Sequence, residues 1–164
     1  LYYEKVNGSF QIYSRYKFNY SNDKNSTTEF YNTENGIESF EGTFFYTYAG
    51  NNIKKIEFDD ANDPDTLPNY TYEFNIDTSK NNPIQAVNQQ FYVLDTYIDD
   101  DTAFIFAVYT NPNRVTQIIS TENGYTPNTE NIDYVFSNSP QGNNLLTEVK
   151  IDNTNYYKFG YHCQ

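Results

Sequence analysis

The chain has 164 residues and a mass of 19.2 kDa, enough for one domain with its own core but too little for two full-size domains. Its 18 Tyr and 13 Phe outnumber the 24 Leu, Ile and Val, and Met is absent, so the usual core of a helix bundle is missing. The net charge of -12 excludes nucleic acid and anionic membrane surfaces as expected partners. Rings favour strands and the 24 Asn favour turns, so we expect an all-β protein.

The first predicted hairpin lies near the start of the chain. Tyr16 to Tyr20 carries a ring at every second position, and a turn at Ser21 to Asn25 separates it from a second strand, Thr27 to Tyr31. Alternate residues share one face of a pleated strand, so these rings are expected to lie together. We interpret this hairpin as a degraded copy of a unit that repeats farther along the chain.

Four later segments share the pattern aliphatic-x-x-aliphatic. They begin at Ile53, Ile84, Val115 and Leu146, so each starts 31 residues after the one before. A turn precedes each segment, and an aromatic or aliphatic alternation precedes each turn, at Phe44 to Tyr48, Tyr70 to Ile76, Phe104 to Val108 and Ile132 to Phe136. The repeating unit is therefore a β-hairpin. We predict one domain, 1–164, that forms an antiparallel meander of about five such hairpins in a twisted or partly closed sheet.

The two aliphatic residues of each segment are three positions apart, whereas a regular strand brings residues two apart to the same face. A bulge or a turn residue at the first residue of each pair would reconcile the two spacings. We therefore predict irregular strand geometry at these four positions, with the first side chain closing the end of the hairpin.

Residues 84–94 have two interpretations. Asn82-Pro83-Ile84-Gln85 fits the start of a helix, with Asn82 as N-cap and Pro83 as the first helical residue. Ile84, Val87, Phe91 and Leu94 would then share one helical stripe. The sequence leaves open whether a short helix or the strand predicted by the repeat forms here.

The chain has few residues of the kinds that catalysis by a triad or a zinc site requires. His162 is the only histidine, Cys163 is the only cysteine, and no Gly-x-Ser-x-Gly motif occurs. We predict that the protein is not an enzyme. A glycoside hydrolase or lyase is the weakest alternative, because no motif selects a catalytic pair from the 22 carboxylates.

Two acidic clusters have the oxygen-rich composition that calcium requires, and calcium is the one cofactor that the sequence suggests. The alternative is that both clusters are solvated loops that keep a β protein soluble. The candidate calcium ligands are Asp59, Asp60, Asp63 and Asp65 in the first cluster and Asp99, Asp100 and Asp101 in the second.

Tyrosine is the other candidate for binding, because its ring and hydroxyl suit both sugars and protein partners. The alternative is that the rings pair across strands and stabilise a sheet poor in aliphatic residues. The candidates that recur in the alternating segments are Tyr46, Tyr48, Tyr70, Tyr72 and Tyr134.

Several segments of the chain resemble those of a known group of proteins. They are the ring-x-ring strand and its turn, Asn52-Ile53-Lys54-Lys55-Ile56, the segment Thr78 to Pro83, and the closing Tyr157 to Tyr161 strand. This group is the exported lipoproteins of Bacteroidota, flavobacteria especially, with degenerate hairpin repeats related to the YD (Rhs-type) repeat. The resemblance implies an outer-membrane or cell-surface protein anchored through a lipidated Cys upstream. It implies no catalytic residues. Because the chain begins at Leu1, we expect that a leader or linker has been trimmed.

Two short matches accompany this resemblance. Asp65-Thr66-Leu67 and Asp101-Thr102-Ala103 are similar to the Asp-Thr-aliphatic triplet that Bacteroidota O-glycosylate on exported proteins. Thr66 and Thr102 are therefore candidate O-glycosylation sites.

The functional expectation is a non-enzymatic, extracytoplasmic lipoprotein that acts as an interaction or accessory subunit of an outer-membrane complex. Such a complex would serve uptake, secretion or outer-membrane-protein assembly. The alternative is a glycan-binding module that uses Tyr platforms with assistance from calcium, in which case a polysaccharide is the partner.

Overall fold

The structure is a computed structural model that describes residues 2–6, 9–63, 68–84, 110–138 and 144–158. In these ranges the chain forms antiparallel strands in a single sheet whose spatial order equals the chain order, and the sheet is not closed. The predicted all-β antiparallel meander is confirmed. The strands are β1 (Tyr2–Val6), β2 (Ser9–Ser21), β3 (Lys24–Glu34), β4 (Ile37–Ala49), β5 (Asn52–Asp60), β6 (Tyr70–Asn81), β7 (Asn113–Glu122), β8 (Asn128–Asn138), β9 (Asn144–Ile151) and β10 (Thr154–Lys158).

Three of the tight turns explain part of the high Asn content. Both residues of the two-residue turns Asn22-Asp23, Asn35-Gly36 and Asp152-Asn153 have positive φ, between 44° and 77°. Hairpins favour such turns because their twist matches that of the strands, and Asn, Asp and Gly tolerate positive φ best. These turns join β2 to β3, β3 to β4, and β9 to β10.

The chain divides into two compact units that are each discontinuous in sequence. Unit 1 comprises 1–47, 55–71 and 121–126, and unit 2 comprises 48–54, 72–120 and 127–164. The buried apolar residues of unit 1 include Phe44 and Ile56. Those of unit 2 include Ile53, Tyr72, Phe74, Ile84, Val115, Ile118, Ile132, Leu146 and Val149. The single domain predicted over 1–164 stays a prediction.

The aliphatic pairs of the repeat are core residues. Every member within the described ranges is buried, and Val87 lies outside those ranges. A bulge accounts for the three-residue spacing in β9, where Val135 pairs with Glu148 but Phe136 pairs with Leu146. Thr147 is thus the extra residue, one position later than predicted, and it returns Leu146 and Val149 to the same face.

The degraded first copy contains the same bulge. Asn19 pairs with Thr27 and Tyr20 pairs with Asn25, which leaves Ser26 as the extra residue of β3. Asn25 and Thr28, three residues apart, are both buried, as the aliphatic pairs are in later copies. The repeat therefore preserves a backbone irregularity even where its aliphatic residues are replaced by polar ones.

A hydroxyl stabilises the strand at this position in three copies. Ser26 Oγ donates to the Asn19 carbonyl at 3.0 Å, and Thr147 Oγ1 donates to the Val135 carbonyl at 3.2 Å. Thr116, which follows buried Val115, donates in the same way to a carbonyl of β6 at 3.2 Å. A bulge disrupts the ladder locally, and at Ser26 and Thr147 the hydroxyl returns a donor to the preceding strand.

The third hairpin had two interpretations, a helix or a strand from Ile84. A strand from Ile84 would have paired with Tyr70 to Ile76, but β6 lies between β5 and β7 in the sheet. Asn82 Oδ1 accepts the Ile84 N–H at 3.0 Å, as an N-cap does, and the backbone turns helical at Pro83. Proline cannot donate to a ladder, so β6 ends at Asn81.

The two ends of the segment between β6 and β7 meet. The Asn82 N–H donates to the Pro112 carbonyl at 2.9 Å, and Asn82 Nδ2 donates to the Asn111 carbonyl at 2.8 Å. The predicted helix or strand beyond Ile84 and the predicted strand Phe104 to Val108 lie outside the described residues.

Candidate interaction site

Two of the five candidate tyrosines belong to unit 1, and both are half-buried. The Tyr46 hydroxyl donates to Thr28 Oγ1 at 3.1 Å, and the Tyr70 ring lies 6.5 Å from the Phe58 ring. These contacts are the cross-strand pairing that the sequence offered as the alternative to binding.

The other three candidates belong to unit 2. Tyr72 is only 8% exposed, and Tyr48 is half-buried. The Tyr134 hydroxyl donates to the Val115 carbonyl at 3.1 Å, and burial raises the pKa of Tyr134 to about 12. None of the five candidate rings is among the strongly exposed large side chains of the described residues.

A different set of rings forms a row on one face of unit 1, which we call the aromatic row. The Tyr16 and Phe30 rings stack at 5.0 Å with an interplanar angle of 12°, and the Phe44 and Phe58 rings lie 4.5 Å apart. Strand register places further rings on this face, because Phe18 and Phe44 both pair with Thr28. The members are Tyr16, Phe18, Tyr20, Phe30, Phe44 and Phe58.

The aromatic row becomes more exposed toward β2. Phe44 is 6% exposed, whereas Phe18 is 46% exposed and Tyr20 is 67% exposed. Gly42 lets the Phe58 ring approach, since a Cβ there would lie 2.6 Å from two ring carbons. The buried end of the row thus anchors the rings, and the β2 end presents Phe18 and Tyr20 to solvent.

The opposite face of the same strands combines ion pairs with rings. The Tyr31 and Phe40 rings lie 5.4 Å apart there, and Phe40 and Phe45 are 46% and 39% exposed. Arg15 donates two hydrogen bonds to the Glu38 carboxylate, at 2.6 and 2.8 Å, and its guanidinium lies 4.0 Å from the centroid of the Tyr31 ring. The bond to Glu38 raises the pKa of Arg15 and lowers that of Glu38. The bidentate geometry leaves this guanidinium committed to an internal partner.

Glu29 is the centre of a second polar cluster on this face. Its carboxylate accepts from Lys17 at 2.7 Å, from the Tyr31 hydroxyl at 2.6 Å and from Asn19 at 3.0 Å. These three donors, Lys17 first, lower the pKa of Glu29 to about 2. The bond to Glu29 raises the pKa of Tyr31. The carboxylate is therefore ionised at any physiological pH.

The first acidic cluster does not assemble into a metal site in the part that the structure describes. There, no three His, Cys, Asp or Glu side chains could together hold a metal ion. Asp60 Oδ1 accepts the Asn62 N–H at 2.7 Å, and burial and Glu57 raise the pKa of Asp59. Asp63 is exposed. The remaining candidates lie outside the described residues: Asp65, Asp99, Asp100, Asp101, Thr66 and Thr102.

Sequence reasoning missed the exposed end of the aromatic row. The alternation from Tyr16 to Tyr20 predicted the face that its rings share, and the bulge at Ser26 keeps the register that brings Phe30 to Tyr16. Exposure was not predictable, because it depends on which strands cover a ring in the folded sheet.

Comparison with protein-family models, with curated proteins and with solved structures finds no match to this chain. The described residues contain no helix of sufficient length and apolarity to cross a membrane.

Proposed function

We propose that this chain is a non-enzymatic interaction subunit that binds a protein partner through the exposed end of the aromatic row. The observation that carries the proposal is the exposure of Phe18 and Tyr20 at the end of a row whose inner rings are packed. Large exposed rings contribute strongly to protein interfaces, because each buries much apolar area for the loss of few rotatable bonds.

The stacked pair beside these rings favours binding further. Tyr16 and Phe30 are held against each other at 5.0 Å, so this part of the surface loses little side-chain freedom when a partner binds. Phe18 has no polar atom, which favours an apolar protein surface as its contact.

The charge of this chain indicates which residues should surround the contact surface of the partner. Arg15, Lys17 and Lys55 of unit 1 form ion pairs with carboxylates of the same unit, and the chain as a whole has a net charge of -12. A partner with Lys or Arg around an apolar centre would be attracted, and its association rate should fall with salt.

We further propose that the partner belongs to an outer-membrane or cell-surface complex. The support for this location is the resemblance to exported lipoproteins. The outer strands of the unclosed sheet, β1 and β10, offer a second mode of contact, in which a partner strand pairs with an edge.

A pull-down with matched variants tests the proposal. Tagged protein is incubated with detergent-solubilised native outer membranes, and the bound proteins are identified and quantified by mass spectrometry. A stoichiometric partner should be retained by the wild type and lost in the Phe18→Ser/Tyr20→Ser double variant. Tyr125→Ser is the control, because Tyr125 is 69% exposed but lies outside the aromatic row.

The proposal is wrong if the protein elutes alone, or if the double variant recovers the same partner in the same amount as the wild type. A partner lost equally from the Tyr125 variant would point to general surface stickiness instead of a site.

A further inference from the structure

Three side-chain amides form a head-to-tail chain of hydrogen bonds on unit 2, and we call them the amide row. Asn75 Nδ2 donates to Gln117 Oε1 at 2.7 Å, and Gln117 Nε2 donates to Asn131 Oδ1 at 3.1 Å. The row begins at a cation, since Lys54 Nζ donates to Asn75 Oδ1 at 3.3 Å. It ends at an anion, since Asn131 Nδ2 donates to Asp152 Oδ1 at 3.3 Å.

The amide row crosses consecutive strands. Asn75 lies on β6, Gln117 on β7 and Asn131 on β8, and Gln117 is directly opposite Asn131 in the register. Neighbouring strands are about 4.8 Å apart, so equivalent amide groups recur at about that interval across the sheet. The result is a short periodic array of identical polar groups.

Each amide retains hydrogen-bonding capacity toward solvent. A primary amide has two N–H donors and two acceptor lone pairs, and the hydrogen bonds of the amide row use one donor and one lone pair of each residue. Asn75 and Asn131 are exposed, and Gln117 is half-buried. Because every bond in the row points the same way, the amides polarise one another, which strengthens the remaining donors and acceptors.

The charged groups at the two ends of the amide row are hydrogen-bonded within unit 2, and the three amides between them are neutral. Lys54 Nζ also donates to the Phe74 carbonyl at 2.7 Å, and Asp152 Oδ1 also accepts the Asn131 N–H at 2.9 Å. The ammonium and the carboxylate at the ends are therefore occupied within the unit. A ligand for this surface should be uncharged and should both donate and accept hydrogen bonds at each contact, as a hydroxyl group does.

We propose that the amide row binds an uncharged, extended β-linked glycan, with successive sugar residues on successive strands. The strand spacing is similar to the length of one sugar residue in such a chain, so hydroxyl groups and amides would recur in step. The site lies on unit 2 and is independent of the aromatic row and of its protein partner.

Isothermal titration of the full chain with defined oligosaccharides tests the proposal. The probes are cello- and chito-oligosaccharides of two to six sugars. Because the amides occupy three neighbouring strands, affinity should rise from the disaccharide to the trisaccharide and then level off. Hexagalacturonate, which is charged, should bind more weakly than the neutral hexasaccharides, since the protein is acidic.

Variants of the central amide provide the second readout. Gln117→Ala removes the link between its neighbours and should weaken binding of the hexasaccharide by about three- to tenfold. Gln117→Glu keeps the size but removes the donors, and it should weaken binding similarly. Asn128→Ala, at an exposed position at the start of β8, is the control that should bind as the wild type does. Melting temperatures establish that each variant is folded.

The proposal is overturned if neither oligosaccharide series binds, if disaccharide and hexasaccharide bind equally, or if both Gln117 variants bind like the wild type. None of these results bears on the pull-down that tests the aromatic row, so the two proposals fail separately.

Discussion

The side-chain amide of Asn111 is hydrogen-bonded at both ends to the backbone of Ile53, 58 residues earlier in the chain. The Ile53 N–H donates to Asn111 Oδ1 at 2.6 Å, and Asn111 Nδ2 donates to the Ile53 carbonyl at 3.1 Å. Asn111 is fully buried, with 0% of its surface exposed. Ile53 is the first residue of the buried aliphatic pair in the second copy of the repeat, and the Asn111 amide takes the place of a neighbouring strand there. It satisfies two backbone groups that water does not reach.

Asn111→Ala should therefore destabilise the protein by about 2–5 kcal/mol, because it leaves a buried N–H and a buried carbonyl without partners. Urea unfolding followed by tyrosine fluorescence measures the change in the free energy of unfolding. Asn113→Ala is the matched control, since its bonds to Asn52 and to carbonyls of β6 are part-buried or exposed. An Asn111 variant no less stable than the Asn113 variant would contradict this account.

The bulge hydroxyl can be removed with little change of shape. Thr147→Val should cost about 0.5–1.5 kcal/mol of unfolding free energy, the usual net value of one hydrogen bond, here the 3.2 Å bond to the Val135 carbonyl. Thr129→Val on β8 is the comparison, because Thr129 is exposed and its change should stay within about 0.5 kcal/mol. Equal effects in chemical denaturation would mean that the hydroxyl does not stabilise the bulge.

Gly42 is required by two close neighbours, the Asp59 carbonyl oxygen and the Phe58 ring, and not by a positive φ. In Gly42→Ala the new Cβ would meet two ring carbons at 2.6 Å and the Asp59 carbonyl oxygen, so we expect a loss of about 1–3 kcal/mol. The comparison is Gly36→Ala, where the space is open but φ is +77°. Strain there should cost about 1 kcal/mol.

A double-mutant cycle separates steric contact with the Phe58 ring from backbone strain as the cause of the lost stability. In a Phe58→Leu background the cost of Gly42→Ala should fall, with a coupling energy of about 0.5–3 kcal/mol, whereas the cost of Gly36→Ala should not change. Thermal unfolding of the wild type, the three single variants and the two double variants supplies the values. Absence of coupling between Gly42 and Phe58 would contradict the proposed contact.

Glu29 makes stability depend on pH. Its pKa is lowered from an ordinary 4.5 to about 2 in the folded protein, so folding favours the ionised form. This contribution to the free energy of unfolding is fully present above about pH 4.5 and is lost as the pH falls toward 2. The wild type should therefore melt above Glu29→Gln at pH 7, and the difference should shrink between pH 4.5 and pH 2.

An NMR titration of the Glu29 side chain gives a direct check, since its midpoint should lie well below that of an ordinary glutamate. A midpoint near 4.5 would show that the three donors do not act on this carboxylate in solution.

Local patterns in the sequence were sufficient for the fold class and for much of the core. The 31-residue spacing selected Ile53, Val115 and Leu146 with their partners, and all are buried. A three-residue spacing in a strand also predicted a bulge, which β9 contains at Thr147. These features depend on neighbours within one hairpin, so periodicity alone reveals them.

The pairing of β6 with β7 needed the tertiary structure. The repeat predicted a partner strand from Ile84, yet Asn82 and Pro83 end the strand and begin a helical turn. Both signals were visible in the sequence, but local propensity could not decide between them. The outcome depends on contacts between residues that are far apart in the sequence, such as the hydrogen bond from the Asn82 N–H to the Pro112 carbonyl.

Both candidate sites depend on the same kind of information. The sequence determined which residues alternate on a strand, and thus that Tyr16, Phe18 and Tyr20 share a face. Only the tertiary structure decided that Phe18 and Tyr20 stay exposed while Tyr72 is buried, and that Asn75 meets Gln117 on the neighbouring strand. The physical reason is that periodicity assigns a residue to a face, whereas exposure and side-chain pairing follow from the order and register of the strands around it.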